Sequence, residues 1–172
     1  MGWDMRAGMD AARGTYICII DGDGQYPFES IFSCLMRIET EDLDLVKTYR
    51  VKRGDSFYRK TISVFYNRCF RILFGGGLRD VNSKPKIIRR DKYELLDLQS
   101  DDWFTDAEIM IRANELKLRT AELPTHFYEI DQRTSFVKLG TVFEFIGNLW
   151  RYRFSRKIPA PSNLRSDKVL PP

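Results

Sequence analysis

Cysteine is scarce in this sequence: 172 residues contain only Cys18, Cys34 and Cys69. The number is odd and no two cysteines form a C-x-x-C pair, which argues against a disulfide framework and a thiolate zinc site. Each cysteine lies in an apolar run, where a free thiol behaves as a small apolar side chain. We therefore predict three reduced thiols packed in the core.

Long apolar runs are also missing. No stretch approaches the ~18 consecutive apolar residues that a membrane-spanning helix needs, and the first residues lack the apolar segment of a secretory signal. The hydrophobic share of 43% and the charged share of 30% are typical of a soluble globular protein. We predict a cytoplasmic location, one domain over 1–157, and a disordered proline-rich tail over 158–172.

Positive charge is in modest excess, at a net +4, but it is unevenly distributed. Basic side chains are concentrated in three segments, 46–71, 79–92 and 151–157. Such clusters suit phosphates, nucleic acid or an acidic membrane surface, although any one of them can also be an ordinary solvated face. Base-stacking motifs are not interleaved with them, so nucleic acid is the weakest of these partners and we expect none.

Apolar periodicity predicts alternating helices and strands. We predict helices at 2–13, 28–38, 62–74, 105–116 and 137–154, and strands at 15–20, 43–48, 87–88 and 118–123. Pro124 is expected to end the last strand, and the remainder of 78–92 is expected to be loop. This alternation predicts an α/β domain with a mostly parallel sheet flanked by helices.

Two carboxylates, Asp21 and Asp23, follow the short apolar strand at 15–20. Ligands of such sheets bind beyond the carboxyl ends of the strands, and a D-x-D pair on a loop can face one cation. Gly22 and Gly24 permit a sharp backbone path there. Mg²⁺ is commonly held by one or two carboxylates together with substrate phosphates. The pattern predicts a metal site, whereas a plain Asp- and Gly-rich surface turn is the simpler alternative.

Two other motifs share this loop pattern. An EF-hand would require glycine at Tyr26 and glutamate at Phe32, and neither is present. A haloacid-dehalogenase-like phosphatase also places D-x-D after an apolar strand, but it favours Thr or Val where this chain has Gln25. The pair at 101–102 fits its later acidic motif poorly, so the phosphatase is the weaker alternative.

Several motifs resemble those of family 2 glycosyltransferases, in the same order along the chain. They are D-x-D-x-Q-x-P at 21–27, a strand ending in arginine at 48–50, R-x3-S-x3-N at 59–67, D-x-x-S at 80–83, an acidic helix start at 105–108, and a shortened R-x-x-G-x-S-x-x-K segment at 133–138. The dolichol-phosphate mannose synthase-like branch is the most similar. The resemblance extends to about Phe154.

This resemblance implies a Rossmann-like GT-A fold, Mg²⁺ or Mn²⁺, and a nucleotide-diphosphate sugar donor. Asp21 would face the nucleotide and the cation, while Asp23 and Gln25 would face the cation and the diphosphate. The acceptor implied for this branch is a polyprenyl phosphate, and a growing glycan is the alternative.

The resemblance also assigns roles to four further residues. Arg50, Arg59 and Arg133 would bind phosphates, and Asp106 would lie near the acceptor as a general base. Asp106 is equally explained as an acidic residue that stabilises a helix N-terminus. If the acceptor is a lipid phosphate, it is already an anion and needs little help from a base.

The chain departs from the family pattern in three ways. The two strand-helix units that precede the D-x-D strand and hold the base are missing, which predicts an N-terminally truncated product. Lys84 replaces the glycine that usually follows D-x-x-S, and the segment beginning at Arg133 has lost a glycine. A non-catalytic remnant that binds a partner or a membrane is therefore the alternative to an active enzyme.

The last predicted helix carries a wide set of apolar residues with basic companions. Arg151, Arg153, Arg156 and Lys157 lie beside them. This combination fits an interfacial helix on an anionic leaflet. We predict peripheral contact with the inner face of the membrane through 137–157.

Overall fold

The computed structural model describes residues 2–53, 57–100, 102–128 and 147–154, and at 2, 52–53 and 57–59 it describes the main chain alone. The elements are α1 Gly2–Ala11, β1 Tyr16–Ile19, α2 Glu29–Thr40, β2 Leu45–Arg53, α3 Phe57–Phe74, β3 Lys86–Arg89, α4 Arg90–Leu96, α5 Thr105–Glu115 and β4 Thr120–Phe127. Residues 147–154 are also helical.

The described strands form one sheet in the order β1-β3-β2-β4. β2 and β4 are parallel, whereas β3 is antiparallel to both β1 and β2. Three strands therefore run in one direction and β3 runs against them. The α/β prediction is confirmed, but the sheet that we predicted to be mostly parallel is mixed, with two antiparallel pairings and one parallel pairing among the described strands.

The reversal of β3 has a structural cause in the segment before it. α3 ends near the end of α5, where Asn114 donates a hydrogen bond to the carbonyl of Phe74. Residues 78–85 then return past β4 and β2: the main-chain N–H of Arg79 donates to Glu122 of β4, and the hydroxyl of Thr48 in β2 bonds to the Ser83 hydroxyl. β3 consequently starts at the end of the sheet where the other strands finish.

Apolar side chains alternate between the two faces of the sheet, as expected for strands buried on both sides. The smaller cluster lies under α2 and consists of Cys34, Ile38, Val46 and Ile87. The larger cluster, on the opposite face, gathers residues of the other helices against Leu45 and Ile88 of the same two strands. The sheet is thus the middle layer between two sets of helices.

The prediction for the cysteines is correct only in part. All three are free thiols, and Cys34 is fully buried, but Cys18 is exposed. Ile17 and Ile19 point into the larger cluster, so the period of two turns Cys18 to the other face. α2 covers β2, β3 and β4 there rather than β1, and Cys18 is left uncovered.

Two predicted strand ends are wrong. β4 continues through Pro124 to Phe127, because among the described strands it pairs only with β2 and a proline can place its missing N–H toward the other side. β2 extends to Arg53, five residues beyond its predicted end, because β4 pairs with it over that length. The residues predicted as loop also include the start of α4.

The predicted start of α5 at Thr105 is right, and the side chains of Thr105 and Glu108 both bond to the loop before the helix. The hydroxyl of Thr105 donates to the carbonyls of Ser100 and Asp102. Glu108 is buried and accepts hydrogen bonds from the main-chain N–H groups of Gln99 and Ser100. The acidic side chain therefore fastens the preceding loop to the helix.

The C-terminal predictions are covered only in part by the described residues. Residues 147–154 of the predicted helix at 137–154 are helical, and Leu149 among them is buried. The predicted tail at 158–172 lies outside the described residues. Within the ranges that the structure describes, no helix combines the length and apolar character needed to cross a bilayer.

Candidate functional site

The D-x-D loop crosses the end of the sheet at which β1, β2 and β4 finish. It begins after β1, at one edge, and reaches the end of β4 at the other. There the main-chain N–H of Tyr128 donates to the carbonyl of Gln25 at 2.9 Å, and the Gln25 amide donates back to the Tyr128 carbonyl at 3.0 Å. The loop is thus fastened at both ends, with its two carboxylates between them.

Local bonding holds the turn of this loop. The carboxylate of Asp23 accepts the main-chain N–H of Gln25 at 3.1 Å. Gly24 has φ +73°, a left-handed conformation that glycine adopts without steric cost. Tyr26, which follows, is buried and packs edge-on against Phe127, with ring centroids 5.1 Å apart. The aromatic contact explains why the loop leads into α2 across the end of β4.

A cluster of alternating charges lies below the loop. The Lys84 ammonium is 2.5 Å from Asp21 Oδ1 and 3.4 Å from Asp106 Oδ2. The Lys86 ammonium binds Asp106 Oδ1. The two lysine side chains are almost completely buried, so their pairs with Asp106 are largely shielded from bulk solvent, whereas Asp21 stays partly exposed. We call Asp21, Lys84, Lys86 and Asp106 the site cluster.

Burial and pairing act in opposite directions on the pKa values of this cluster. Burial would raise the pKa of Asp106, but the ammonium groups of Lys86 and Lys84 outweigh it and hold that pKa below its usual value. Burial lowers the pKa of Lys86 to about 8, against the opposing charge of Asp106. Burial would also lower the pKa of Lys84, yet Asp106 and Asp21 together raise it.

Arg50 and Asp80 form a second ion pair at the same end of the sheet. Arg50 donates from Nε to Oδ2 at 2.6 Å and from Nη2 to Oδ1 at 2.8 Å, the bidentate geometry that makes arginine-carboxylate pairs strong. The Arg50 guanidinium also lies 5.2 Å from the centre of the Phe127 ring. These contacts fix the guanidinium beside the loop.

A cavity of about 400 Å³ adjoins this ion pair. Its walls come from the end of β2, from α3 and from the segment before β3, and they include both members of the pair. Among the side chains that the structure describes, the other charged groups lining it are basic, namely Lys60, Arg71 and Arg79. The cavity therefore has the charge and position of an anion-binding space.

Lys47 is a further buried lysine, and its ammonium links β2 to β4 and to the segment before β3. Its ammonium donates to the carbonyls of Asp80 and Thr48 and binds Glu122 Oε1 at 2.9 Å. Burial lowers its pKa, against the opposing charge of Glu122. Its position in β2 places it under the Arg50–Asp80 pair.

The structure brings together most, but not all, of the predicted site residues. Asp21 and Asp106 lie within one cluster because Lys84 touches both. Asp23 and Gln25 are in the same loop, and Arg50 is beside it on Asp80. The side chain of Arg59 and the whole of Arg133 lie outside the described part of the chain.

Sequence reasoning noted Lys84 only as a departure from the family pattern, and it did not predict that Lys47, Lys84 and Lys86 are buried and paired with carboxylates. The available signal was a charged residue next to strand residues with apolar side chains, as in Leu45-Val46-Lys47 and Lys86-Ile87-Ile88. A lysine is almost never fully buried unless it is paired. Such a position therefore indicates a carboxylate partner elsewhere in the fold.

The loop has the donor chemistry for Mg²⁺ or Mn²⁺, although it offers few ligands. The described residues contain no group of three or more His, Cys, Asp or Glu side chains that would hold a metal alone. Asp21 and Asp23 supply hard oxygen ligands, and the Asp21 side chain is 33% exposed. Two carboxylates fit a Mg²⁺ whose other ligands are phosphates. Lys84 already occupies one oxygen of Asp21.

Residues 1–108 match the family described as Glycosyl transferase family 2, a segment that spans more than half of the chain. The chain belongs to this family. The matched segment contains the D-x-D loop, the Arg50–Asp80 pair and every member of the site cluster. The family match weakens the phosphatase interpretation of the same loop.

The fold of this family 2 chain is also similar to a solved structure, glucosyl-3-phosphoglycerate synthase from Mycobacterium tuberculosis in complex with phosphoglyceric acid. The TM-score is 0.58 at 18% sequence identity, and the match covers 88% of this chain and 53% of the other. The chain therefore spans about half the length of that protein. The similarity supports the GT-A fold, as predicted.

Proposed function

We propose that this chain transfers a sugar from a nucleotide-diphosphate donor to an acceptor at the carboxyl ends of its strands. One observation carries the proposal: Lys84 contacts both Asp21 of the D-x-D loop and Asp106 at the start of α5. Two motifs that are far apart in sequence thus form one charged site, in a chain whose family transfers sugars.

The donor half of this site is the loop at 21–25. Asp21 and Asp23 would hold Mg²⁺ or Mn²⁺ together with the donor diphosphate, and Gln25 would present its amide oxygen to the same region. The bound cation would neutralise charge on the departing nucleoside diphosphate. The hydrogen bonds between Gln25 and Tyr128 hold the loop in place for this task.

The reaction requires an acceptor oxygen to form a bond to the anomeric carbon while the bond from that carbon to the diphosphate breaks. A hydroxyl acceptor must lose a proton, and a general base near neutral pH serves this best. Asp106 is a weak base, because two ammonium groups hold its pKa below the usual value. A phosphate acceptor has no such requirement. This favours an anionic acceptor, such as a polyprenyl phosphate, over a glycan.

The cavity beside the Arg50–Asp80 pair also favours an anionic acceptor. Lys60, Arg71 and Arg79 give it a positive lining that suits a phosphate headgroup. We propose that Arg50, together with Arg59 and Arg133, borders the phosphate-binding region. Asp106 would then act through its charge, by positioning Lys84 and Lys86, more than as a proton acceptor.

Donor turnover tests this proposal. UDP-sugars and GDP-sugars are supplied with Mn²⁺, with and without a polyprenyl phosphate, and release of the nucleoside diphosphate is measured. We expect Asp23→Ala to lower turnover about a hundredfold, the scale found when a group that stabilises transition-state charge is removed. Asp91→Ala, at an exposed aspartate of α4, is the matched control. Turnover that survives both Asp23→Ala and chelation of the metal would contradict the proposal.

The exposed face of the C-terminal helical residues favours an additional role at a membrane. Trp150 and Phe154 are exposed and stack with ring centroids 4.6 Å apart, and Arg151 and Arg153 beside them are exposed too. We propose that this face contacts an anionic leaflet. Trp150→Ser with Phe154→Ser should reduce sedimentation with phosphatidylglycerol vesicles, whereas Met36→Ser on α2 should not. Unchanged sedimentation of the double variant would rule out this face.

The alternative of a non-catalytic remnant makes a different prediction for the donor loop. A remnant would bind neither UDP-sugars nor GDP-sugars in a calorimetric titration with Mn²⁺. Metal-dependent binding in the micromolar range would argue against it. Specific assignment to the dolichol-phosphate mannose synthase-like branch stays a prediction and depends on the acceptor that supports turnover.

A further inference from the structure

Lys84 places a cation from the chain itself on the D-x-D loop. Its ammonium is 2.5 Å from Asp21 Oδ1, and its side chain is only 3% exposed. The oxygen that it contacts belongs to one of the two carboxylates that we propose for the divalent cation. The site therefore carries the fixed positive charge of a lysine at the place where we propose that a divalent cation binds.

The backbone on both sides of Lys84 is firmly held. Its carbonyl accepts the hydroxyl of Thr48 at 2.5 Å, and the carbonyl of Pro85 accepts the main-chain N–H of Thr48 at 3.1 Å. The same Thr48 hydroxyl lies 2.9 Å from the Ser83 hydroxyl. The Lys84 side chain thus starts from a rigid segment and has little freedom to leave Asp21.

Charge neutralisation within the site cluster also directs Lys84 toward Asp21. Lys86 makes the shorter contact with Asp106, and Lys84 lies farther from that carboxylate, at 3.4 Å. One lysine therefore chiefly neutralises Asp106, while the other chiefly neutralises Asp21. A divalent cation that approached Asp21 would meet a carboxylate that is already compensated and an ammonium that repels it.

We propose that Lys84 is a positioning residue, a built-in counter-cation of Asp21, which makes divalent-cation binding at this loop depend on the donor diphosphate. The inference rests on the proposed function for the identity of the donor. The negative charges of a diphosphate attract both the ammonium and the metal, and so they offset the repulsion between them. Because linkage is reciprocal, the metal strengthens diphosphate binding by the same factor.

A titration of Mn²⁺ without nucleotide tests the inference directly. Free Mn²⁺ is measured by electron paramagnetic resonance in the wild type, Lys84→Gln and Lys84→Arg. We expect Lys84→Gln to bind Mn²⁺ at least about tenfold more tightly, because the repulsive charge is gone. Lys84→Arg keeps the charge and should match the wild type. Lys92→Gln, at a partly exposed lysine of α4, is the matched control and should also match it.

A second substitution locates the added binding. Asp23→Ala combined with Lys84→Gln should abolish the gain if the metal is on the D-x-D loop. Lys84→Met is a further neutral variant of similar length, and thermal unfolding identifies which of the neutral variants is folded. Equal Mn²⁺ affinity in the wild type and a folded neutral variant would overturn the inference. A gain in Lys84→Arg as large as that in Lys84→Gln would overturn it too.

The titrations are then repeated with saturating UDP or GDP. In the wild type we expect nucleotide to tighten Mn²⁺ binding strongly, and in Lys84→Gln we expect a smaller effect, because the neutral variant already binds the metal. Equal coupling in the two proteins would count against the inference. If neither nucleotide binds to any variant, the proposed donor fails, while the nucleotide-free titration still decides the role of Lys84.

Discussion

The two ends of the sheet carry ion pairs of very different character. At the end where β1, β2 and β4 finish, Lys84 and Lys86 are buried, and both contact Asp106, whose side chain is 14% exposed. At the opposite end, charged residues beside the strands form a network of Asp42, Asp44, Arg89 and Arg119, of which Asp44 alone is buried. We refer to the second group as the strand-start network.

The contrast lies in how far each network is removed from water. Burying an ionised side chain is costly unless it is paired and hydrogen-bonded, and even then the gain is often small. Arg119 is 52% exposed and Asp42 is 67% exposed, so this pair avoids most of the cost, and Asp44 is the one buried member of the strand-start network. The site cluster does not avoid it. We infer that the buried lysines of the site cluster serve the binding of substrate. The strand-start network instead connects the segment before β2 to the segment before β4.

Lys86→Met should produce the largest difference between the two ends. It leaves Asp106 buried with one lysine instead of two, and breaking a buried pair in this way costs about 3 kcal/mol or more. We expect the free energy of unfolding in urea at pH 7 to fall by that order. Arg119→Met is the matched change at the other end and should cost less, because Asp42 is exposed and Asp44 keeps its hydrogen bond from the main-chain N–H at position 119. If both variants lost the same free energy of unfolding, burial would not explain a difference in stability between the two networks.

Asp80→Asn should have the next largest effect. It weakens both hydrogen bonds from the Arg50 guanidinium, and hydrogen bonds to charged groups contribute about 2 kcal/mol. We expect a loss of stability of that order in urea unfolding, together with weaker binding of any anion in the adjoining cavity. Asp91→Asn, at an exposed ion pair of α4, is the control. No difference between these two variants would contradict the importance of the bidentate pair.

Acid should destabilise the protein through the site cluster. The pKa of Asp106 is below its usual value in the fold, so the unfolded chain takes up protons first as the pH falls. The stability from this carboxylate is complete above its unfolded pKa of about 3.9 and is lost as the pH drops through the lower folded value. Urea unfolding from pH 6 to pH 3 should show this loss. Asp106→Asn should give a shallower dependence over that range.

Asp42→Asn should have the smallest effect. Hydrogen bonds from Arg119, and then its charge, lower the pKa of Asp42, but the carboxylate is exposed and solvent screens the interaction. We expect the midpoint of thermal unfolding at pH 7 to stay within measurement error of the wild type. A shift comparable to that of Lys86→Met would invalidate the division between the two networks.

The sequence predicted the elements far better than their arrangement. Apolar periodicity located α2, α3 and α5, and a buried strand followed by Asp21 predicted the loop at the sheet end. Periodicity carries no information on direction, so the reversal of β3 could not be read from it. Pro124 misled the prediction, because its effect depends on whether a strand is at an edge, which only the sheet order reveals.

The candidate site was predictable for residues in local motifs and not for residues that act through long-range pairing. Asp21 and Asp23 stand out by their D-x-D spacing after a strand, and Gln25 was selected through the resemblance to the family motif. The partnership of Lys84 with Asp21 spans 63 positions and depends on where β3 begins. Likewise, the weak basicity of Asp106 follows from two lysines that are distant in sequence. Such contacts appear only when the chain is folded.

The short reversed strand β3 has a consequence for how this scaffold can change over evolution. The other strands reach the site with their last residues, so altering them also alters the loops that lead into α2 and α3. β3 reaches it with the residues just before its first position, among them Lys84. We expect a single substitution there to exchange the charge beside the D-x-D loop while the strand registers stay intact. Under the role that we propose for Lys84, cation dependence would then be adjustable separately from the framework that carries it.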